Sequence, residues 1–215
     1  MKLTNTAIAL GIGAVTATGL SFLKVNKDLV VGSTAVVIGA GLMVALSDKN
    51  DLNTKARDYE YFFNRAQDKF ELADYEEAIL DYNKALELSP TEICLVYSMR
   101  GNAKRNLGDF DGAISDQNKA LDFDPLYADG YFNRGSAKYK MGDFAGAIED
   151  YTQVIKINPK DSDAFFNRAN IKKEIGDMRG ACEDWKKGAD LGNQEATDLW
   201  DEYCKGISSS HFLSQ

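Results

Sequence analysis

Histidine is nearly missing from this sequence. The 215 residues contain one, His211, in a Ser-rich tail. Catalysis that relies on imidazole as a general base near neutral pH has no such residue in the body of the chain. Cysteine is scarce as well: Cys94, Cys182 and Cys204 are odd in number, far apart, and form no CxxC pair. A disulfide framework or a zinc site is therefore not expected, and the thiols read as small buried side chains in a reducing compartment. There is no phosphate loop, no GxSxG and no HExxH. The pairs Gly11/Gly13 and Gly39/Gly41 lie inside apolar runs and follow no predicted strand. No enzyme activity, cofactor or metal is expected on these grounds. An excess of positive charge is also lacking. The formal net charge is −8, and beyond Asp58 there are 19 basic against 29 acidic residues. Such a body repels a phosphate backbone, which argues against nucleic acid as a partner.

Charge is absent altogether from two stretches near the start. Residues 6–23 (TAIALGIGAVTATGLSFL) and 29–47 (LVVGSTAVVIGAGLMVALS) contain no Asp, Glu, Lys or Arg, and the short link KVNKD separates them. Each run is about 27 Å long as a helix, close to the thickness of a bilayer's hydrocarbon core. The first expectation is a two-helix transmembrane hairpin over residues 1–47. Small residues spaced by four (Ala9/Gly13, Gly13/Ala17, Ala35/Gly39 and Gly41/Ala45) would let its helices approach closely and would permit self-association. Two alternatives stay open. The first run could be a signal peptide with Val15-Thr16-Ala17 as cleavage site, leaving one span, or both runs could form a buried soluble hairpin. Lys2, Lys49, Lys55 and Arg57 flank the outer ends against Lys24 and Lys27 in the link. The positive-inside bias then puts the body on the cytoplasmic side. Residues 48–58 are polar without apolar periodicity and read as a linker.

Beyond the linker the sequence repeats itself. FFNRAQDKFELADYEEAILDYNKALELSP starts at Phe62, and related segments start at Tyr97, Tyr131 and Phe165, at offsets of 35, 34 and 34 residues. Each copy reads as two amphipathic helices. In the third, Tyr131, Arg134, Gly135 and Lys138 recur at helical spacing until Gly142 supplies a C-terminal cap, and Asp143 caps the next helix. That helix carries the apolar face Ala147, Ile148, Tyr151, Val154 and Ile155, and Pro159 closes the unit. The small residues Gly135 and Ala147 mark the helix crossing. After Asn193, the residues Ala196, Leu199, Trp200 and Tyr203 form one face of a capping helix.

These residues resemble the tetratricopeptide repeat (TPR) family: an aromatic, a small residue four later, an alanine twelve further on, then an aromatic, an alanine and a proline. The match covers Phe62, Ala66, Ala78, Tyr82, Ala85 and Pro90 in the first repeat. In the second it covers Tyr97, Gly101, Ala113, Ala120 and Pro125, with Gln117 departing from the aromatic. In the third it covers Tyr131, Gly135, Ala147, Tyr151 and Pro159, with Val154 in place of alanine. In the fourth it covers Phe165, Ala169, Ala181 and Trp185, while Gly188 and Asn193 depart. The wording is similar to bacterial and cyanobacterial TPR proteins, some of which carry an N-terminal anchor and assist photosystem assembly. The fold implied is all-α: an α-solenoid of four helix-turn-helix units over residues 59–92, 94–127, 128–161 and 162–193. A capping helix at 194–205 and a flexible tail at 206–215 follow, and the membrane hairpin precedes.

The resemblance implies a membrane-tethered scaffold or assembly factor that holds a protein or peptide in a concave groove lined by first helices. A structural spacer that oligomerises through the hairpin is the alternative. Family geometry puts the partner contacts at Phe63, Phe132 and Phe166, at Asn64, Asn133 and Asn167, and at Gln67, Asn102, Ser136 and Asn170. A row of carboxamides can grip an extended backbone by its donors and acceptors, as in the similar asparagine ladder of the O-linked N-acetylglucosamine transferase. The opposing reading keeps these Asn residues merely solvent-facing and packs the Phe rings between helices. The chaperone-type carboxylate clamp is poorly matched, because Phe63, Ser98 and Phe132 stand where its first lysine belongs. Arg65, Arg100, Arg134 and Arg168 recur with Asp81, Asp116, Asp150 and Asp184 at constant offset. They form either a basic patch or an Arg–Asp pair joining the two helices of each unit.

Overall fold

The computed structural model describes residues 39–88 and 93–205, with side chains from residue 54 onward. The first apolar run, residues 29–38 of the second, the turn holding Pro90 and the tail at 206–215 lie outside the described residues. Among the described residues, no helix is long and apolar enough to cross a membrane.

Every described element is a helix. The first is α1 (Gly39–Glu71), and it runs straight through 48–58. The linker expected there is thus helical. Polarity alone suggested a break, yet residues 42–71 contain neither Gly nor Pro, and Ala, Lys, Arg and Glu favour helix. Then come α2 (Tyr75–Leu88) and α3 (Ile93–Asn106). They are followed by α4 (Phe110–Phe123), α5 (Ala128–Lys140) and α6 (Phe144–Ile157). The last are α7 (Ser162–Glu174), α8 (Met178–Asp190) and α9 (Gln194–Tyr203).

The stops and starts are set chemically. Gly108, Gly142 and Gly176 take positive φ, in the left-handed region that a side chain disfavours. Each is followed by an aspartate, Asp109, Asp143 or Asp177, whose carboxylate accepts the amide N–H three residues on. Ala73 takes the equivalent turn in the first repeat at a φ of 61°. Asn193, which departs from the family proline, caps α9 by accepting from the Ala196 amide. Gly188, the other departure, sits where an added Cβ would lie 3.0 Å from that of Ala196. Its lack of a side chain lets the capping helix approach.

The described residues from Ala56 onward form one compact unit. In it, α3 packs on α4, α5 on α6 and α7 on α8, and each second helix also packs on the following first helix. The cores are small and stacked in series. Ala78, Tyr82 and Val96 belong to one, Ala147, Tyr151 and Ile171 to another, and Ala181, Trp185 and Ala196 to the last. No helix pair buries enough apolar surface alone, so each repeat draws stability from its neighbours. α3 also packs directly on α5, whereas no two second helices among the described residues are in comparable contact. In the second and third repeats the first helices therefore lie on the inner side of the stack.

One expectation about cysteine is corrected. Cys182 on α8 is joined to Cys204, just past α9, by a disulfide with Cα atoms 5.7 Å apart. The two are 22 residues apart in sequence, and only the return of α9 along α8 brings them together. Cys94 is free.

Candidate functional site

The recurring arginines come first, because they decide which charges remain for a partner. Arg134 on α5 donates through Nε and Nη2 to both oxygens of Asp150 on α6, at 2.9 and 2.6 Å. Arg100 holds Asp116 in the same fork at 2.8 and 2.6 Å, and Arg168 holds Asp184 at 2.8 and 2.7 Å. Arg65 does so with Asp81. The remaining Nη1 reaches back to the preceding repeat: Arg100 to Asn83, Arg134 to Asn118 and Arg168 to Thr152. A lysine completes each site. Lys69, Lys104, Lys138 and Lys172 stand 2.8–3.0 Å from the same four carboxylates. Each arginine also lies over an aromatic of its own helix, such as Tyr97, Tyr131 or Phe165. The arginines are thus internal staples, tying two helices at Arg65 and three at Arg100, Arg134 and Arg168, and the basic-patch reading falls.

The first staple has a pH signature. Hydrogen bonds from Arg65 above all, then from Lys69, hold the Asp81 carboxyl below its ordinary value against the opposing effect of burial. A depressed folded-state pKa adds stability that is complete above about pH 4 and is lost as pH falls through the lowered value. Urea midpoints of the full chain should therefore drop as pH falls below about 4, and the drop should be shallower in Asp81→Asn. Equal slopes for the two proteins would show that Asp81 contributes nothing to acid sensitivity.

The ten expected contact residues divide into groups. Phe63 is buried, with its ring stacked on Tyr59 at 5.8 Å and tilted against Tyr82 at 6.1 Å. It is core, so its assignment to the partner-binding row is corrected. Phe132 and Phe166 remain half-buried, the former edge-on to Tyr151 at 5.3 Å. The difference lies four residues earlier on the same face. Tyr59 covers Phe63, but only Ala128 and Ser162 precede the other two rings. Asn64 is exposed and Gln67 half-buried. Asn133 and Asn167 are half-buried; the Asn167 amide donates to the Asp163 carbonyl at 2.9 Å. Asn170 accepts from the Trp185 indole at 3.0 Å, and Ser136 accepts from Arg105 at 2.9 Å. The carboxamides therefore do not form one uniform row. Phe132 and Asn133 on α5, the latter donating to the Ser98 hydroxyl at 3.5 Å, and Phe166 and Asn167 on α7 stay half-exposed.

Three polar groups in the second repeat stand apart. Gln117, where the family has an aromatic, is 1% exposed and donates to the Ser98 carbonyl at 3.0 Å. Its Oε1, the Oδ1 of Asn102 and the Nε of Arg105 are buried and make no hydrogen bond within the protein. The departure of Gln117 from the aromatic was visible in the sequence; Arg105 carried no such signal. At the corresponding positions of the first and third repeats, burial pushes the Tyr82 and Tyr151 phenols up to about 12.

Serially stacked helix pairs with an inner face of first helices define a helical-repeat module of the kind that holds other polypeptides. Models described as tetratricopeptide repeat match residues 59–92 and 128–161, and one described as TPR repeat matches residues 101–142. Residues 59–92 and 101–161 are thus matched as tetratricopeptide repeats. Comparison with curated proteins gave no match. Among solved structures it is similar to MamA at 20% identity, covering 75% of this chain and 99% of that one, with a TM-score of 0.60. YrrB, described as a TPR protein with an unusual peptide-binding site, is 18% identical, covering 75% and 89%, with a TM-score of 0.59. The likeness to these two is one of fold. The first TPR of Spaghetti (RPAP3), bound to the HSP90 peptide SRMEEVD, is 25% identical. That match covers 59% of this chain and 97% of the other, with a TM-score of 0.51.

Proposed function

We propose that this protein is a membrane-tethered scaffold or assembly factor, not an enzyme, whose inner face holds an extended segment of a partner protein. The observation that carries the reading is the half-open pair of Phe and Asn residues on α5 and α7. Phe132 and Phe166 offer apolar contact beside Asn133 and Asn167. The neighbouring arginines are all engaged internally. Side-chain amides beside rings suit a peptide, whose backbone offers one donor and one acceptor per residue. Peptide binding by structurally similar repeats gives further support. The uncharged runs at 6–23 and 29–47 supply the tether. A tether raises the local concentration of a membrane-associated partner, so modest groove affinity suffices.

The test is photo-crosslinking in native membranes, with a photoreactive residue at position 132 compared with one at the exposed Glu149. Position 132 should yield a discrete product that is lost in Asn133→Ala/Asn167→Ala. The two amides together are worth about 1–3 kcal/mol, or roughly five- to a hundred-fold in affinity. Background at both sites would remove the groove, and capture of the protein itself would leave a spacer that oligomerises through its hairpin.

A further inference from the structure

The face of α5 that carries Phe132 and Asn133 begins at Asp129 and ends at Lys140, at helical spacing throughout. The same face of α7 begins at Asp163, passes Phe166 and Asn167, and ends at Lys173. Each face thus has a carboxylate at one end, an ammonium at the other, and the half-exposed rings and amides between. Asp129, Asp163 and Lys140 are exposed, and Lys173 is half-buried. All four lie outside the ion pairs of the described residues, whereas every staple charge is matched inside the fold. Their neighbours are neutral: Asp163 accepts from the Asn193 amide at 2.8 Å, and the Lys173 ammonium lies over the Tyr203 ring at 3.8 Å. The carboxylates near the lysine end are engaged. Glu174 faces the Tyr139 phenol, which burial and this contact push above its ordinary value. Asp143 and Asp177 accept the amides that start α6 and α8.

Strand geometry turns this polarity into a sequence requirement. In an extended chain the N–H and C=O groups point along the hydrogen-bonding direction, and successive side chains project to opposite sides, perpendicular to it. A segment that crosses α5 and α7 with its backbone held by Asn133 and Asn167 therefore sends its side chains to the two ends of these faces in turn. Those ends are roughly 15–16 Å apart along the helices, a width that long side chains on both sides of one strand can bridge.

Resting on the peptide-groove reading above, we propose that the bound segment is an extended stretch of alternating charge, with Lys or Arg directed to Asp129 and Asp163 and Asp or Glu directed to Lys140 and Lys173. Edges of opposite sign also set the register. A slip of one residue turns every side chain to the other edge and brings like charges together. A strongly basic or strongly acidic segment matches one edge and is repelled by the other.

The probes are two capped octapeptides of identical composition, four Lys-Glu units in alternation and a block of four Lys followed by four Glu, titrated against the full chain. The alternating peptide should bind roughly tenfold more tightly, the scale of four exposed ion pairs, and added salt should shrink the difference. Asp129→Asn/Asp163→Asn, which keeps an acceptor for Asn193, should weaken the alternating peptide about threefold or more, and Lys140→Gln about twofold. Equal affinity of the two isomers, or a preference that survives both variants, overturns the proposal. If the isomers bind equally and both weaken in Asn133→Ala/Asn167→Ala, the groove stands and only the charge alternation falls. If neither isomer binds, the alternation falls, and the groove is judged by the crosslink at position 132.

Discussion

Replacing Asp150 with alanine is expected to lower the unfolding free energy by about 3–5 kcal/mol. The Asp150 carboxylate is 1% exposed and accepts from Arg134 Nε, Arg134 Nη2 and Lys138 Nζ. Its hydrogen bonds hold the Arg134 guanidinium above its ordinary value. Removing it leaves two cations on α5 facing a small apolar void, without the charge that justified their partial burial. Assembly of such a triad gains little over a well-packed apolar cluster, yet loss of one member is costly because the others stay desolvated. The staple also reaches Asn118 on α4, so the damage extends to the junction with the second repeat. Stability in a stacked repeat is a sum of unit and interface contributions, and a weak central unit uncouples its neighbours. Urea unfolding followed by circular dichroism should show a lower midpoint and a broader transition. The comparison is Glu183→Ala, which breaks an exposed pair with Arg179 and should cost less than about 1 kcal/mol. A similar small cost for Asp150→Ala would mean that the staples set geometry and contribute no net stability.

The staples also show what a sequence can and cannot disclose. A constant offset of 16 between Arg and Asp is visible in four copies, and at that spacing the two residues face each other across the turn. The lysine four after each arginine is equally regular and lies on the same helix face, so its membership is legible as well. Helices, caps and the crossing at Gly135 follow from local chemistry, because periodicity and turn residues act within a few positions. Phe63 was misplaced for a different reason. Its repeat position equals that of Phe132 and Phe166, but burial depends on the residue one turn earlier, where Tyr59 replaces a small side chain. The helical path of 48–58 is hidden in the sequence because polarity resembles a break, although no breaking residue stands there. The unpaired buried polar atoms of the second repeat are half legible. Gln117 breaks the pattern in plain view, while the unpaired Nε of Arg105 is a property of tertiary packing.

Opening the Cys182–Cys204 bridge is expected to destabilise the capping helix by about 3 kcal/mol, the loop-closure estimate for a separation of 22 residues. The effect should stay local. α9 packs on α8, where Tyr203 lies 5.9 Å from Trp185 and under the Lys173 ammonium at 3.8 Å. With Cys204→Ser, hydrogen exchange should quicken in α9 and at the adjoining part of α8, while α3 to α6 keep their protection. Unchanged exchange in α9 would mean that apolar packing around Trp185 holds the cap by itself. On the membrane-tethered proposal, the same pair bears on which side of the membrane the body would occupy. Flanking lysines argue for the cytoplasmic face, where thiols stay reduced, but a closed bridge belongs to an oxidising compartment. Alkylation of the denatured chain after trapping thiols in cells separates the two. One modified cysteine, Cys94, would place the repeats on the oxidising side and overturn the orientation read from charge. Three would place them in the reducing compartment, with the cap held by packing alone and about 3 kcal/mol easier to open.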